Sequence, residues 1–209
     1  RLIRGNQLEG GAILNLEDLT ITSCVFSRNF ANFFSGGAID TEGILDVTDS
    51  VFSNNTTRDD VGGAIINRGT IENISGSIFR GNNSSAIFNS GTIQNITDST
   101  FSENSSGFGG AIRTFGTIEN IADSTFSGNI AGNGGAIYIG EDGSIESLTN
   151  CTLSGNEAVE EGGAIFNVDG VINISFTTIA DNEAGSVGGG IRQEIITGAP
   201  VTNIINSIL

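Results

Sequence analysis

Apolar residues along this chain fall in short clusters, and no stretch keeps helical spacing for long. Gly-Gly-Ala-Ile occurs at 10–13, 36–39, 62–65, 109–112, 134–137 and 162–165, with degenerate copies ending at Ile87 and Ile191. The isoleucines that close these phrases are separated by 26, 26, 22, 25, 25, 28 and 26 residues. In phase with them runs a large apolar residue three positions before an asparagine: Ile3/Asn6, Phe26/Asn29, Phe52/Asn55, Phe79/Asn82, Phe101/Asn104, Phe126/Asn129, Leu153/Asn156 and Ile179/Asn182. A third phrase, apolar-x-x-apolar, lies between the two: Ile71/Ile74, Ile93/Ile96, Ile118/Ile121, Ile145/Leu148 and Val171/Ile174. Each period thus holds three short apolar segments bounded by Gly, Asn, Asp and Ser, which read as strands and turns.

One such period cannot bury its apolar side alone, whereas stacked periods bury a continuous core and pair each strand with those above and below. The pattern therefore predicts an all-β chain: a right-handed, single-stranded parallel β-helix, or β-solenoid, with about three short strands per coil and about eight coils. Strand alternation turns the position two before each Phe inward, namely Cys24, Ser50, Ser77, Ser99, Ser124, Cys151, Thr177 and Ser207. The two cysteines then lie about five coils, or roughly 24 Å, apart, far beyond disulfide reach. The column Asn6, Asn29, Asn55, Asn82, Asn104, Asn129, Asn156 and Asn182 is expected to be structural. These asparagines tolerate left-handed backbone at a turn, and their amides can bond from coil to coil. The Gly pairs are expected to permit a turn denied to residues with a Cβ.

Gly-Gly-Ala-Ile alternating with Phe-x-x-Asn resembles the repeat pair of the chlamydial polymorphic membrane proteins, whose passenger regions are β-helical surface adhesins delivered by an autotransporter barrel. The tail, with Thr178 to Asn182, Gly188 to Ile191 and Asn206 to Leu209, is similar to the β-helix repeats that precede anchor segments in large bacterial surface proteins. The resemblance implies a bacterial, extracellular or cell-surface module without enzymatic activity. It would act as an adhesin or structural stalk, with a host-cell, matrix or glycan ligand. Residues 1–209 are expected to form one β-helix domain, a segment of a longer solenoid. A fibre whose subunits stack end to end is the second reading.

Charge narrows the partners. Acidic residues number 24 against 8 basic ones, every basic residue is arginine, and the net charge is −16. Binding to nucleic acid is therefore excluded, and anionic membranes are disfavoured. No run of about 18 apolar residues occurs, so no direct membrane span is expected in this segment.

A polysaccharide lyase or hydrolase would need converging carboxylates, and the chain holds no His or Lys to assist them. Asp49, Asp98 and Asp123, with Glu72, Glu119 and Glu146, recur because the repeat recurs. They are read as solvated columns, with calcium held between coils as a lesser alternative and catalysis as the least. No cofactor is expected. A water-ordering threonine face is not favoured either, because Thr100, Thr125, Thr152 and Thr178 share their column with Val25, Val51 and Ile78.

The candidate contact surface is the residue after each Gly-Gly-Ala-Ile: Leu14, Ile66, Phe88, Arg113, Tyr138, Phe166 and Arg192, with Asp40 in the same column. An outward stripe of apolar, aromatic and Arg side chains fits a protein interface. The loop bearing Phe30, Phe33 and Phe34 is a second apolar cluster.

Overall fold

Repetition of the three phrases becomes repetition in space. The structure is a computed structural model that describes residues 2–3, 6–7, 11–32, 35–59, 61–196 and 200–208, the first four of these by backbone alone. Three parallel sheets, each eight strands deep, run the length of the stack. The Phe sheet contains strands such as Val51–Ser53 and Thr100–Ser102. The Gly-Ala-Ile sheet contains Ile65–Asn67 and Ile112–Thr114. The third sheet contains Thr92–Thr97 and Thr117–Ala122. The chain is an all-β parallel β-helix, and its described residues include no helix.

A fourth strand, unforeseen in the sequence, follows the asparagine in most coils. Phe30–Ala31 and Thr56–Thr57 belong to one short sheet, and Ser105–Phe108, Ile130–Asn133 and Glu157–Glu161 to another. Asn83 bridges Thr56 and Ser105, joining the two. These segments are short and their composition differs from coil to coil, so they form no repeated apolar phrase, and backbone pairing with the adjacent coils makes them strands.

The core is a set of columns. Phe26, Phe52, Phe79, Phe101 and Phe126 stack with ring centroids 4.8–4.9 Å apart and planes within 3–6°. That distance is the spacing of neighbouring strands, so the backbone sets the ring separation. Ala38, Ala64, Ala86, Ala111, Ala136 and Ala164 form a second, fully buried column.

The third sheet explains the apolar-x-x-apolar spacing, which simple alternation would send to opposite faces. Ile71 and Ile74 are both fully buried because an extra residue enters the strand, and the register shifts between Ile71 and Asn73 against the coil below. Where the extra residue is missing, the spacing falls to two, as in Leu45/Val47. The inward pair after Gly170 is accordingly Ile172/Ile174, and Val171 points outward with 39% exposure.

Polar columns close the corners. Oδ1 of Asn55 accepts from the backbone N–H of Asn29 at 3.0 Å and from its Nδ2 at 2.8 Å. The same two bonds repeat through Asn82, Asn104, Asn129 and Asn156 to Asn182. Each Nδ2 also donates to the backbone carbonyl of the core residue in the preceding coil, as from Asn82 to Phe52 and from Asn104 to Phe79. Every amide atom of an internal rung is thus used, which is what makes its burial tolerable. The side chain of Asn6 lies outside the described residues, as do Phe33, Phe34 and Leu209.

The left-handed residue at this corner is the one before the ladder asparagine. Arg28, Asn54, Gly81, Glu103, Gly128, Gly155 and Asp181 have φ between 54° and 62°, while the ladder asparagines have ordinary backbone. Their preference therefore comes from amide bonding alone. The Gly pair divides its work. Gly109 takes φ 60°, and a Cβ on Gly37 would lie 2.0 Å from the carbonyl oxygen of Gly63 in the next coil.

Serine hydroxyls make a second ladder. Ser50, Ser77 and Ser99 each donate to the carbonyl two residues back and accept the backbone N–H of the preceding rung at 3.1 Å. Cys151 occupies this column at 2% exposure, whereas Cys24, expected to be buried like it, is half-buried in the first coil. Both thiols are free. Burial pushes the Cys151 thiol up from 9.0 to about 11.

Two measurements check this frame. Asn104→Ala orphans buried partners on both sides and is expected to cost roughly 2–5 kcal/mol in urea unfolding, against less than about 0.5 for Asn95→Ala on the outer face. Because the folded-state value of Cys151 is raised, its contribution is fully present below pH 9.0 and is lost as pH rises toward about 11. The stability difference between the native chain and Cys151→Ser should therefore shift by roughly 2 kcal/mol across that window.

Candidate contact face

The residue after each Gly-Gly-Ala-Ile falls on one line. Leu14, Asp40, Ile66, Phe88, Arg113, Tyr138, Phe166 and Arg192 pair in register along the Gly-Ala-Ile sheet, on the side away from the core. The column is less open than its sequence suggests. Asp40, Ile66 and Phe166 are 2%, 1% and 5% exposed, while Phe88, Arg113, Tyr138 and Arg192 are half-buried and Leu14 is exposed.

The cover is the segment between asparagine and Gly-Gly, which folds back beside the column. The first glycine of the pair that closes it presses on the floor. A Cβ on Gly62 would lie 2.4 Å from Cγ1 of Ile66, and one on Gly162 would lie 2.9 Å from Cβ of Phe166.

Arg113 sits among four rings. Its guanidinium carbon is 4.9 Å from the centroid of Phe108, 5.1 Å from Phe115, 5.6 Å from Phe88 and 5.9 Å from Tyr138. The rings also meet one another: Phe108 is edge-on to Tyr138 at 5.1 Å, and Tyr138 is tilted on Phe166 at 5.6 Å. Such contacts hold a cation without neutralising it. Burial raises the pKa of the Tyr138 phenol, the Arg113 charge lowers it, and Glu194 and Glu141 raise it.

Acids are present, but paired. Asp40 accepts from the Ser35 hydroxyl at 2.9 Å and forms an ion pair with Arg68. Arg192 Nε meets Glu161 Oε2 at 2.8 Å. A cavity of about 400 Å³ opens over this face, lined by Val61, Ile66, Arg68, Phe88, Arg113 and Phe115. A larger recess of about 500 Å³ lies at the last described coil, beside Ile179, Ile191 and Ile204, and is the core side of the stack.

Phe108, Phe115 and Arg68 were absent from the predicted stripe because they lie on the walls, in phrases of their own. The one available signal was the aromatic pair flanking Arg113 in Phe108-Gly-Gly-Ala-Ile-Arg-Thr-Phe115.

The recurrent acids are elsewhere. Asp49, Asp98 and Asp123 occupy left-handed turn positions with φ of 49–51°, where a short polar side chain is tolerated, and Glu72, Glu119 and Glu146 are exposed. Among the described residues no group of three or more Cys, Asp or Glu is gathered as a metal would require.

Residues 98–114, 123–140 and 150–168 match the family model of the Chlamydia polymorphic membrane protein repeat. Three coils of the solenoid are thus similar to that repeat. Each match runs from the turn before the Phe strand, through the asparagine corner and the covering segment, to the end of the Gly-Ala-Ile strand. The repeat therefore contains Arg113, Tyr138, Phe166 and the wall residue Phe108, and stops short of the third sheet. No curated protein and no solved structure matches the chain.

Tyr138 is the sole tyrosine, so its ionisation can be followed by absorbance without overlap. Since Arg113 lowers its pKa, Arg113→Ala is expected to move the phenol titration further upward. The same variant should cost about 1–2 kcal/mol in stability, whereas Arg80→Ala, whose side chain is exposed, stays within about 0.5.

Proposed function

We propose that this β-helix is a surface-displayed contact module without catalytic chemistry, serving as an adhesive segment or stalk of a bacterial surface protein. Its ligand would be a host-cell, matrix or glycan component. The observation that carries this reading is the Arg113 aromatic cluster on the outer face of the Gly-Ala-Ile sheet. Interface anchors are commonly aromatic or Arg, and here several converge on one ridge of a rigid rod.

The repeat match supports surface display, because the matched repeat bears the name of a membrane protein family. The chain's recurrent acids Asp49, Asp98 and Asp123 follow the periodicity of turns, as a scaffold's would. A stalk reading draws on the same stack, since a β-helix lengthens by one strand spacing per coil without altering its cross-section.

Beads coated with the chain and applied to cultured epithelial cells or matrix-coated wells test the proposal. Phe115→Ser with Tyr138→Ser should reduce retention at least several-fold, and Glu119→Gln with Glu146→Gln on the third sheet should leave it unchanged. Equal retention for both double variants would overturn the assignment of this face.

A further inference from the structure

We infer that the cavity over Phe88 seats one uncharged aromatic side chain, presented by an extended segment of a partner protein. The inference rests on the reading of this face as a contact surface and names the group that enters it.

One shortened coil makes the cavity. Between the ladder asparagine and the closing isoleucine lie residues 56–64 in one coil and 105–111 in another, but only residues 83–86 in the coil between them. The flanking coils lay down the covering strands Thr56–Thr57 and Ser105–Phe108, whereas the short coil contributes the single bridging residue Asn83. Phe88 is therefore left half-buried, while Ile66 in the coil before it is 1% exposed. The space above Phe88, about 400 Å³, is bounded by Val61, Ile66, Arg68, Arg113 and Phe115.

What the shortening leaves unmet is apolar. Ser84 and Ser85 stand in place of the Gly pair, and their hydroxyls reach carbonyl oxygens of both flanking segments. Ser84 donates to Thr57 at 3.2 Å and Ser85 to Phe108 at 2.9 Å. Asp40 neutralises Arg68, and four rings surround Arg113, so neither guanidinium selects a charged ligand. The neighbouring coils show what a full-length segment places at this level. The residue just before the Gly pair is Val61 on one side and Phe108 on the other, both apolar. An occupant at the same level of the short coil lies between them and over Phe88, in the stacking that governs the other columns.

Shape favours a ring. Phe88 and Phe115 meet at 5.9 Å with planes tilted by 44°, and the Arg113 guanidinium carbon lies 5.6 and 5.1 Å from their centroids. A further ring there gains stacking and cation–π contact beyond its buried area. A second copy of the chain is a poor source for it. Two copies, each of net charge −16, repel, and a standard interface covers about 800 Å² on each partner, far more than this seat.

The test titrates the whole 209-residue chain into a blocked, uncharged peptide, Gly-Ser-Phe-Ser-Gly with a fluorinated ring, followed by fluorine NMR. Binding in the range of roughly 0.1–3 mM is expected, little changed between low and high salt. The same peptide without fluorine should displace it, and a peptide with serine in place of phenylalanine should not. Phe88→Ala should weaken binding at least about fivefold. Insertion of Ser-Ser-Gly-Phe between Asn83 and Ser84, which lengthens the cover and keeps the floor, should do the same.

No change in the fluorine signal at about 1 mM chain, displacement by the serine peptide, or binding strengthened at least about fivefold by glutamates flanking the ring would each overturn the inference. Retention of beads that depends on Phe115 and Tyr138, without peptide binding, would leave the contact face standing and remove its aromatic guest. Peptide binding without such retention would do the reverse.

Discussion

Everything in this molecule depends on one spacing, the distance of about 4.8 Å between hydrogen-bonded strands. Each coil lies that far above the last, so whatever occupies one position of the repeat meets its counterpart at contact range. Phenylalanines become a ring stack at 4.8–4.9 Å, and asparagines become a chain of amides linked at 2.8–3.0 Å. A residue that suits its own copy is favoured in every coil, and one that does not is excluded from all of them. Gly37 is a clear case, because the neighbouring carbonyl leaves no room for a Cβ.

The same spacing separates residues that carry the fold from residues free to do something else. Columns facing the axis are nearly uniform: alanine in one, isoleucine in another, Phe, Leu or Ile in a third. The outward column of the Gly-Ala-Ile sheet is not uniform, running through Leu14, Asp40, Ile66, Phe88, Arg113, Tyr138, Phe166 and Arg192. Self-stacking does not explain such a mixture, whereas contact with something other than the next coil does. A rod whose backbone is hydrogen-bonded coil to coil holds that column rigid, so docking on it would carry little ordering cost.

Electrostatics sharpens the division. Most acids of this chain stand apart on turns and outer faces, where water screens them. The cavity face draws together Arg68 and Arg113, and the column ends with Arg192 against Glu161. Concentrating scarce cations on one aromatic ridge of an acidic rod makes that ridge chemically unlike its surroundings. Burial raises the pKa of Tyr138 and the Arg113 charge lowers it, which marks the ridge as partly dry with a cation beside the phenol.

The repeat by itself determined the β-helix, its three principal sheets and most of the inward columns, Val171 and Cys24 apart, because periodic apolar phrases at strand length have no other way to bury themselves together. It also determined which column is mixed, since that is visible as an irregular position in a regular phrase. Tertiary structure alone decided the fourth strand, which has no repeated apolar phrase and forms through pairing between coils. It decided that both members of Ile71/Ile74 point inward, because a bulge is a property of register against the neighbouring strand. It decided as well that Ile66 and Phe166 are covered while Arg113 is gripped by Phe108 and Phe115, for those contacts join the floor of one sheet to walls from other turns. Stacking at a fixed pitch can be read from one strand of letters, but contact across a corner depends on how neighbouring turns fold toward each other.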